Sequence, residues 1–260
     1  MVVAALHRLF DDAGLFPPAR LPMDQALAAH RRTRHGPWAD LVGPFLCPAA
    51  LLAELDAGVA DGLPRPPEIG VVAADDTSWG AVYAAPGLVQ VEAPAPIPVP
   101  EPPPGVRRYV EIPRHGDAEA VADALDRVAA AGARAKLRCG GPTPEDVPAC
   151  SWLAAALVGC VERKLEAKAT AGLHDPFRST GPDGPRHGLV NLLAAATAAQ
   201  GGADTATVSE ILATEGRDPA DVAALVGVVA SDGRELLASV GTCSIDETVE
   251  GLTSQGLLSC

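Results

Sequence analysis

Charged side chains interrupt four short segments that otherwise have the composition of buried β-strands. The segments are LVQVE, YVEI, AKLRC and EAKAT, and they carry Glu92, Glu111, Lys136, Arg138 and Lys168. Because successive residues of a strand face opposite sides, each segment has one apolar face and one face that bears charge. Buried parallel strands are normally apolar throughout. The pattern therefore predicts that these five side chains meet in one pocket.

Two chemistries fit a cluster of lysines and glutamates. In one, Lys136 or Lys168 has a pKa lowered by the other cation and by desolvation, and forms a Schiff base with a carbonyl substrate while Glu92 or Glu111 moves protons. In the other, the two glutamates bind a divalent cation such as Mg²⁺, which stabilises an enolate, and a lysine acts as base. A purely structural network of buried ion pairs is the third alternative, although each buried charge costs several kcal/mol to desolvate.

Two loops that follow charged segments could hold an anionic substrate. In CGGPTPEDV, Gly140 and Gly141 precede a predicted helix start, where free backbone amides above Arg138 could bind a phosphate or carboxylate. In GLHDPFRS, His174 could act as acid or base near neutral pH, and Arg178 could bind an anion. We therefore add His174 to the candidate catalytic residues, and Arg138, Gly140, Gly141 and Arg178 to the candidate substrate-binding residues.

Composition excludes several classes of partner. The formal net charge of −13 over 260 residues disfavours binding to nucleic acid or to anionic membranes. The six cysteines form no CxxC pair, and the start of the chain lacks a signal peptide, which predicts reduced thiols in a cytoplasmic protein. No nucleotide-binding glycine motif occurs, so we expect no organic cofactor. A small anionic substrate is the expected partner, and a homo-oligomer is compatible with the sequence.

The order of predicted elements indicates an α/β fold. From residue 68, short strand-like segments alternate with helical segments, as in parallel βα units. Strand markers near residues 45, 70, 89, 109, 135, 167 and 238 give seven strands, and one further strand between 205 and 235 would complete a TIM-type (βα)8 barrel, regular or irregular. The alternative is a doubly wound parallel sheet. In a barrel, the charged side chains would lie at the carboxyl-terminal mouth.

We predict a single domain over residues 1–260 with two additions to the barrel. Residues 1–43 are predicted to form a helical N-terminal extension that includes VVAALHRLFDDAG. The proline-rich stretch at residues 93–105 is predicted to be an extended surface connection in place of one crossover helix.

The strand endings AKLRCGG and AKATAGLH resemble the paired lysine strands of class I aldolases of the deoxyribose-phosphate aldolase type. That resemblance implies a TIM-barrel lyase in which Lys136 forms the Schiff base and Lys168 is its partner. The segments KLRCGG, KATAGLHDPFR, HGLVNLL and GTCSIDETVEGL also resemble an uncharacterised bacterial protein family, which implies no activity. The combined expectation is a carbon–carbon lyase or isomerase that acts on a small anionic carbonyl compound. A barrel that binds a small anion or a protein partner without catalysis is the alternative.

Overall fold

The computed structural model describes residues 2–95, 98–230 and 233–259, and it contains a closed barrel of eight parallel strands. This confirms the TIM-type prediction, and the doubly wound alternative is wrong. The barrel strands are β1 (Phe10–Asp12), β2 (Val42–Pro48), β3 (Ile69–Val72), β4 (Leu88–Pro94), β5 (Arg107–Glu111), β6 (Arg134–Arg138), β7 (Ala167–Thr170) and β10 (Leu237–Thr242). Strands β8 (Ser179–Gly181) and β9 (Gly184–Arg186) form a separate antiparallel hairpin.

Helices connect most of the strands. They are α1 (Val2–Leu6), α2 (Met23–Arg34), α3 (Leu52–Ala60), α4 (Trp79–Ala84), α5 (Ala118–Ala130), α6 (Cys150–Glu162), α7 (Leu189–Gln200), α8 (Thr205–Ala213), α9 (Pro219–Val228), α10 (Gly233–Leu236) and α11 (Ile245–Ser254). Within the described residues, each of these helices is too short or too polar to span a lipid bilayer.

Apolar residues on the outer faces of the strands bind the helices to the barrel. Phe45 and Cys47 of β2 pack in one buried cluster with residues of α2 and α3. Ala135 and Leu137 of β6 belong to a second, larger cluster with α5, α6 and α7. The apolar residues of the alternating strands therefore face the surrounding helices, and the polar residues face the barrel interior. In most barrels of this type the interior is instead filled by bulky apolar side chains.

The N-terminal region differs from the prediction. The predicted helix over VVAALHRLFDDAG ends at Leu6, and Phe10–Asp12 forms β1 between β2 and β10, with Phe10 paired to Val42 and Val240. Residues 1–43 are therefore not a helical extension, since they contain the first βα unit of the barrel. A three-residue strand is too short to show the alternation of apolar and polar residues that identifies a strand in the sequence. Its extended conformation is stabilised by pairing with Val42 and Val240, which are 32 and 230 positions away from Phe10.

Two other connections test the predicted layout. The eighth strand is β1, so the expected strand between residues 205 and 235 is wrong; that region contains α8, α9 and the start of α10.

The proline-rich connection leads from β4 to β5, with residues 96 and 97 outside the described part of the chain. Its described residues contain no helix, as predicted, although β4 extends to Pro94.

Candidate functional site

A buried ion-pair cluster occupies the barrel interior, with Lys168 of β7 at its centre. The Nζ atom of Lys168 lies 2.5 Å from Oδ2 of Asp11 on β1 and 2.5 Å from Oε1 of Glu92 on β4. All three side chains are almost completely inaccessible to solvent. The lysine therefore joins three strands that are not neighbours in the barrel.

A second lysine extends the cluster towards β5. The Nζ atom of Lys136 is 3.0 Å from Oε2 of Glu92 and 3.1 Å from Oε2 of Glu111. The strand register explains this arrangement, because Lys136 is paired with Lys168 on one side and with Glu111 on the other. Glu92 thus binds one lysine with each carboxylate oxygen. Of the five side chains predicted to converge in the barrel, Glu92, Glu111, Lys136 and Lys168 do so. The fifth, Arg138, instead donates to the carbonyl of Gly140.

Exposure increases from Lys168 to Glu111. The side chain of Lys168 is 0% exposed, that of Lys136 is 7% exposed, and that of Glu111 is 19% exposed. Glu111 is the last residue of β5, which places it at the carboxyl-terminal end of the barrel. A small molecule that enters from this end would reach Glu111 and Lys136 before it reached Lys168.

Neutral polar side chains also contact the carboxylates of the ion-pair cluster. Gln90 Nε2 donates to Asp11 Oδ2 at 2.9 Å and to Glu92 Oε1 at 3.0 Å, and the hydroxyl of Ser239 donates to Asp11 Oδ2 at 2.9 Å. The ring centroid of Tyr109 lies 5.5 Å from Lys168 Nζ, within the range of a cation–π contact. These contacts hold the carboxylates and the ammonium group of Lys168 in fixed positions.

The ion pairs shift two pKa values in opposite directions. Burial by itself would raise the pKa of Glu92, but the ammonium groups of Lys168 and Lys136 outweigh it and lower that pKa to about 2. Burial would lower the pKa of Lys168, but Asp11 and Glu92 outweigh it and raise that pKa above its ordinary value. A lowered lysine pKa was one basis of the Schiff-base hypothesis. For Lys168 the shift is the reverse, because two carboxylates contact its Nζ atom.

Three buried oxygen atoms of side chains around the cluster have no hydrogen-bond partner within the described residues. They are Oδ1 of Asp11, Oε1 of Gln90 and the hydroxyl oxygen of Tyr109. Glycine occupies the neighbouring position at Gly43, where an added Cβ atom would lie 2.7 Å from Asp11 Oδ1. Asp11 therefore depends on the absence of a side chain at Gly43 for its position.

Among the predicted substrate-binding residues, Arg138 ends β6 at the mouth, where its Nε atom donates to the carbonyl of Gly140 at 3.0 Å. The expected free amide at the helix start is occupied: Thr143 N donates to Asp146 Oδ2 at 2.9 Å, and the helix is a single turn, Pro144–Asp146. The side chain of Asp146 also packs against Gly141, where an added Cβ atom would lie 2.8 Å from Asp146 Oδ2. The local geometry thus puts a carboxylate where the sequence suggested an anion site.

His174 and Arg178 lie in the loop between β7 and α7 and contact groups outside the lysine cluster. His174 Nε2 lies 3.5 Å from the Sγ atom of Cys243, at the end of β10. Arg178 lies 3.5 Å from Nδ1 of His187, whose Nε2 lies 2.8 Å from the carbonyl of Pro148. Burial lowers the pKa of His187 and Arg178 lowers it further, while the hydrogen bond to the carbonyl of Pro148 opposes them; the net shift favours the neutral imidazole.

Sequence reasoning missed Asp11, which contacts Lys168, Gln90 and Ser239. The sequence does contain a weak indication of a strand with an acidic end, because Leu9 and Phe10 are followed by acidic residues, just as LVQV is followed by Glu92. This indication was overlooked because the segment was predicted to be part of a helix. The pairing of Cys243 with His174 was also missed, because 69 positions separate the two residues in the sequence.

The metal hypothesis required free carboxylate oxygens on Glu92 and Glu111. Both oxygens of Glu92 are instead bound by lysines, so this carboxylate is poorly suited to ligate a cation. Within residues 2–95, 98–230 and 233–259, no group of three or more His, Cys, Asp or Glu side chains has the arrangement of a metal site.

At the end of the barrel where Glu111 is partly exposed, Lys136 lies mostly buried beside it, and this arrangement has groups that are chemically suited to polarise a small molecule. It offers a primary amine, a nearby acid and a buried cation held by two carboxylates. The chain matches no protein-family model, no curated protein and no solved structure.

Proposed function

We propose that the protein is an enzyme of carbon–carbon lyase or isomerase type, which acts on a small anionic carbonyl compound through an imine at Lys136. One observation carries this proposal: two lysines share the carboxylate of Glu92, and the one nearer the barrel mouth also contacts a partly exposed acid, Glu111. A structural ion-pair network would not need an acid that reaches solvent.

Lys136 is the better nucleophile of the pair. The Nζ atom of Lys168 is fully buried and bound by two carboxylates, and its raised pKa keeps it as an ammonium ion. It therefore acts as a fixed positive charge beside the reaction centre. Lys136 keeps 7% of its side chain exposed and lies nearer the mouth. An imine requires access of a carbonyl carbon to the nitrogen, and Lys136 offers it.

Glu111 is the expected proton carrier. Transfer of a proton from Lys136 to Glu111 over their 3.1 Å contact gives a neutral amine and a neutral acid without changing the charge of the cluster. The amine then attacks the carbonyl carbon, and the carbonyl oxygen takes the proton from Glu111 to form a carbinolamine. A second proton transfer releases water and leaves an iminium ion at Lys136.

The iminium ion supplies the electron sink for the reaction. Either a carbon–carbon bond or a carbon–hydrogen bond next to the iminium carbon breaks, and its electron pair forms an enamine with the iminium group. Breaking the first bond gives a lyase and breaking the second an isomerase. Glu92 is tied to both lysines, so Glu111 is better placed than Glu92 to move protons in this step. Arg138 and Arg178, at the same mouth, would bind the anionic group of the substrate.

Borohydride trapping tests the imine directly. The protein is incubated with acetaldehyde, pyruvate or dihydroxyacetone phosphate, reduced with sodium borohydride, and digested for peptide mass analysis. We expect an adduct at Lys136 with at least one of these compounds. The chain has three lysines, and the exposed Lys164 reports nonspecific reaction within the same sample. Adducts at Lys164 in proportion to those at Lys136 would contradict the proposal.

A pair of arginine variants separates catalysis from recognition. Lys136→Arg keeps a positive charge near Glu92 and Glu111 but cannot form an imine, so the adduct and the turnover should disappear. Lys164→Arg is the matched control and should behave as wild type. Stabilisation by the same compounds without any adduct would favour the alternative of a non-catalytic anion-binding barrel. A cytoplasmic location, assembly into a homo-oligomer and the lack of nucleic-acid binding remain predictions from the sequence.

A further inference from the structure

A cysteine, a histidine and a glutamate from three separate elements meet at the same end of the barrel as the lysine cluster. The Sγ atom of Cys243, which follows β10, lies 3.5 Å from Nε2 of His174 in the loop after β7. The other nitrogen of that ring, Nδ1, lies 3.7 Å from Oε2 of Glu247 in the first turn of α11. This thiol, imidazole and carboxylate are not part of the proposed imine chemistry.

The three residues stand in the order that base-assisted thiol chemistry requires. The imidazole contacts the sulfur through Nε2, and its Nδ1 atom, which has no hydrogen-bond partner within the described residues, lies at ion-pair distance from the carboxylate of Glu247. With its proton on Nδ1, His174 presents a lone pair on Nε2 to the thiol. Glu247 then stabilises the imidazolium ion that forms when the thiol proton is taken up.

The surroundings of Cys243 distinguish it from the other described cysteines. Burial raises the pKa values of Cys47, Cys139 and Cys160 to about 12, which makes these thiols unreactive near neutral pH. Cys150 is partly exposed, and no histidine of the described residues forms a hydrogen bond with its thiol. Cys243 also lies one residue before the N-cap of α11. A helix N-terminus favours negative charge.

Burial still keeps Cys243 protonated at rest. Burial raises its pKa, and the carboxylates of Glu247 on α11 and Asp12 on β1 raise it further, while the Ala19 amide opposes them. The base is therefore needed at the moment of attack. His174, with 29% of its side chain exposed, connects the thiol to the solvent at the mouth.

We propose that Cys243 is a nucleophilic thiol activated by His174 and forms the covalent modification site of this chain for small soft carbon electrophiles. With a haloacetamide, the sulfur attacks the carbon that bears the halogen, a sulfur–carbon bond forms, and the halide leaves with the bonding pair. The thiol proton passes to Nε2 of His174. An adduct at this position would narrow the mouth through which a substrate reaches Lys136.

Competitive alkylation tests this site without any requirement for turnover. The full-length protein is treated with iodoacetamide at pH 6.0, 7.0 and 8.0 and quenched at intervals. It is then unfolded, and the remaining thiols are labelled with N-ethylmaleimide before peptide mass analysis. We expect Cys243 to react about tenfold or more faster than Cys150 at pH 7.0, because thiol reactivity follows the ability to lose the proton. Equal or slower reaction of Cys243 would overturn the proposal.

Variants show whether the imidazole is responsible. His174→Gln should lower the alkylation rate of Cys243 about tenfold, because the thiol then lacks the imidazole that takes up its proton. Glu247→Gln should lower the rate less. His115→Gln, at an exposed histidine, is the matched control and should change neither the rate nor its pH dependence. An unchanged alkylation rate in a folded His174→Gln protein would refute activation by His174. If that variant failed to fold, the comparison of Cys243 with Cys150 in the wild-type protein would still test the proposal.

Discussion

The Nζ atom of Lys168 lies 2.5 Å from the Oδ2 atom of Asp11, although 157 positions separate these residues in the sequence. The contact joins β7 to β1 through the barrel interior, and both side chains are buried. Because Glu92 binds the same ammonium group, removal of any one of these charges leaves its partners without full compensation in a site that water does not reach.

Loss of the Lys168 ammonium group should strongly destabilise the fold. Lys168→Met leaves the buried charge of Asp11 without a cation and leaves Glu92 with Lys136 as its remaining cation, so we expect the free energy of unfolding to fall by about 3–5 kcal/mol. Urea denaturation followed by circular dichroism measures this change. Lys164→Met, at an exposed lysine, is the control and should change stability by less than about 0.5 kcal/mol. A loss below about 1 kcal/mol for Lys168→Met would mean that the buried pairs contribute little.

Removal of the acid at the mouth should affect catalysis more than stability. Glu111→Gln keeps the shape of the side chain but cannot exchange a proton with Lys136, so we expect kcat to fall about 10²–10⁴-fold. The exposed Glu119→Gln, on α5, is the control. If Glu111→Gln kept the wild-type rate and pH profile, the proton carrier would have to be a different group.

Stability should fall steeply in acid. The pKa of Glu92 is lowered from its ordinary value of 4.5 to about 2 in the folded chain. A lowered pKa stabilises the folded state above pH 4.5, and this stabilisation is lost as the pH falls from 4.5 towards 2. Urea midpoints at pH 7.0, 4.5, 3.5 and 2.5 should therefore decrease mainly between the last three values. In Glu92→Gln the fall should be shallower, and an equally steep fall would exclude Glu92 as its cause.

The position of Asp11 should depend on Gly43. A Cβ atom at residue 43 would lie 2.7 Å from Asp11 Oδ1 and 3.2 Å from the carbonyl oxygen of Phe10, so Gly43→Ala must displace β1 or the carboxylate. We expect a loss of about 1–3 kcal/mol of stability, typical of overpacking. Gly80→Ala is the matched control, because no atom lies within 4 Å of the added Cβ and the residue is helical. That variant should be neutral or more stable by up to about 1 kcal/mol. Equal effects of the two variants would show that the contact with Asp11 is not strained.

The sequence predicted most of the site because alternation within single strands is a local property. Glu92, Glu111, Lys136 and Lys168 each stand among apolar residues in segments of four or five, which was enough to assign them to one face. The prediction was weakest at Phe10–Asp12, where three residues cannot establish a period and the neighbouring residues favour a helix. His174 was predicted to be functional, but its contact with Cys243 could not be predicted, since loop conformation depends on how α11 packs against the loop.

By itself, the sequence determined that this chain alternates strands and helices, that its strands have an apolar face and a charged face, and that two of its three lysines lie on the charged face. Those features depend on residue order over a few positions. Only the tertiary structure decided that Asp11 is the acid opposite Lys168, that Glu92 binds both lysines, and that His174 lies beside Cys243. Closure of the barrel brings together residues that are distant in the chain, and the partners of a buried charge are set by that closure.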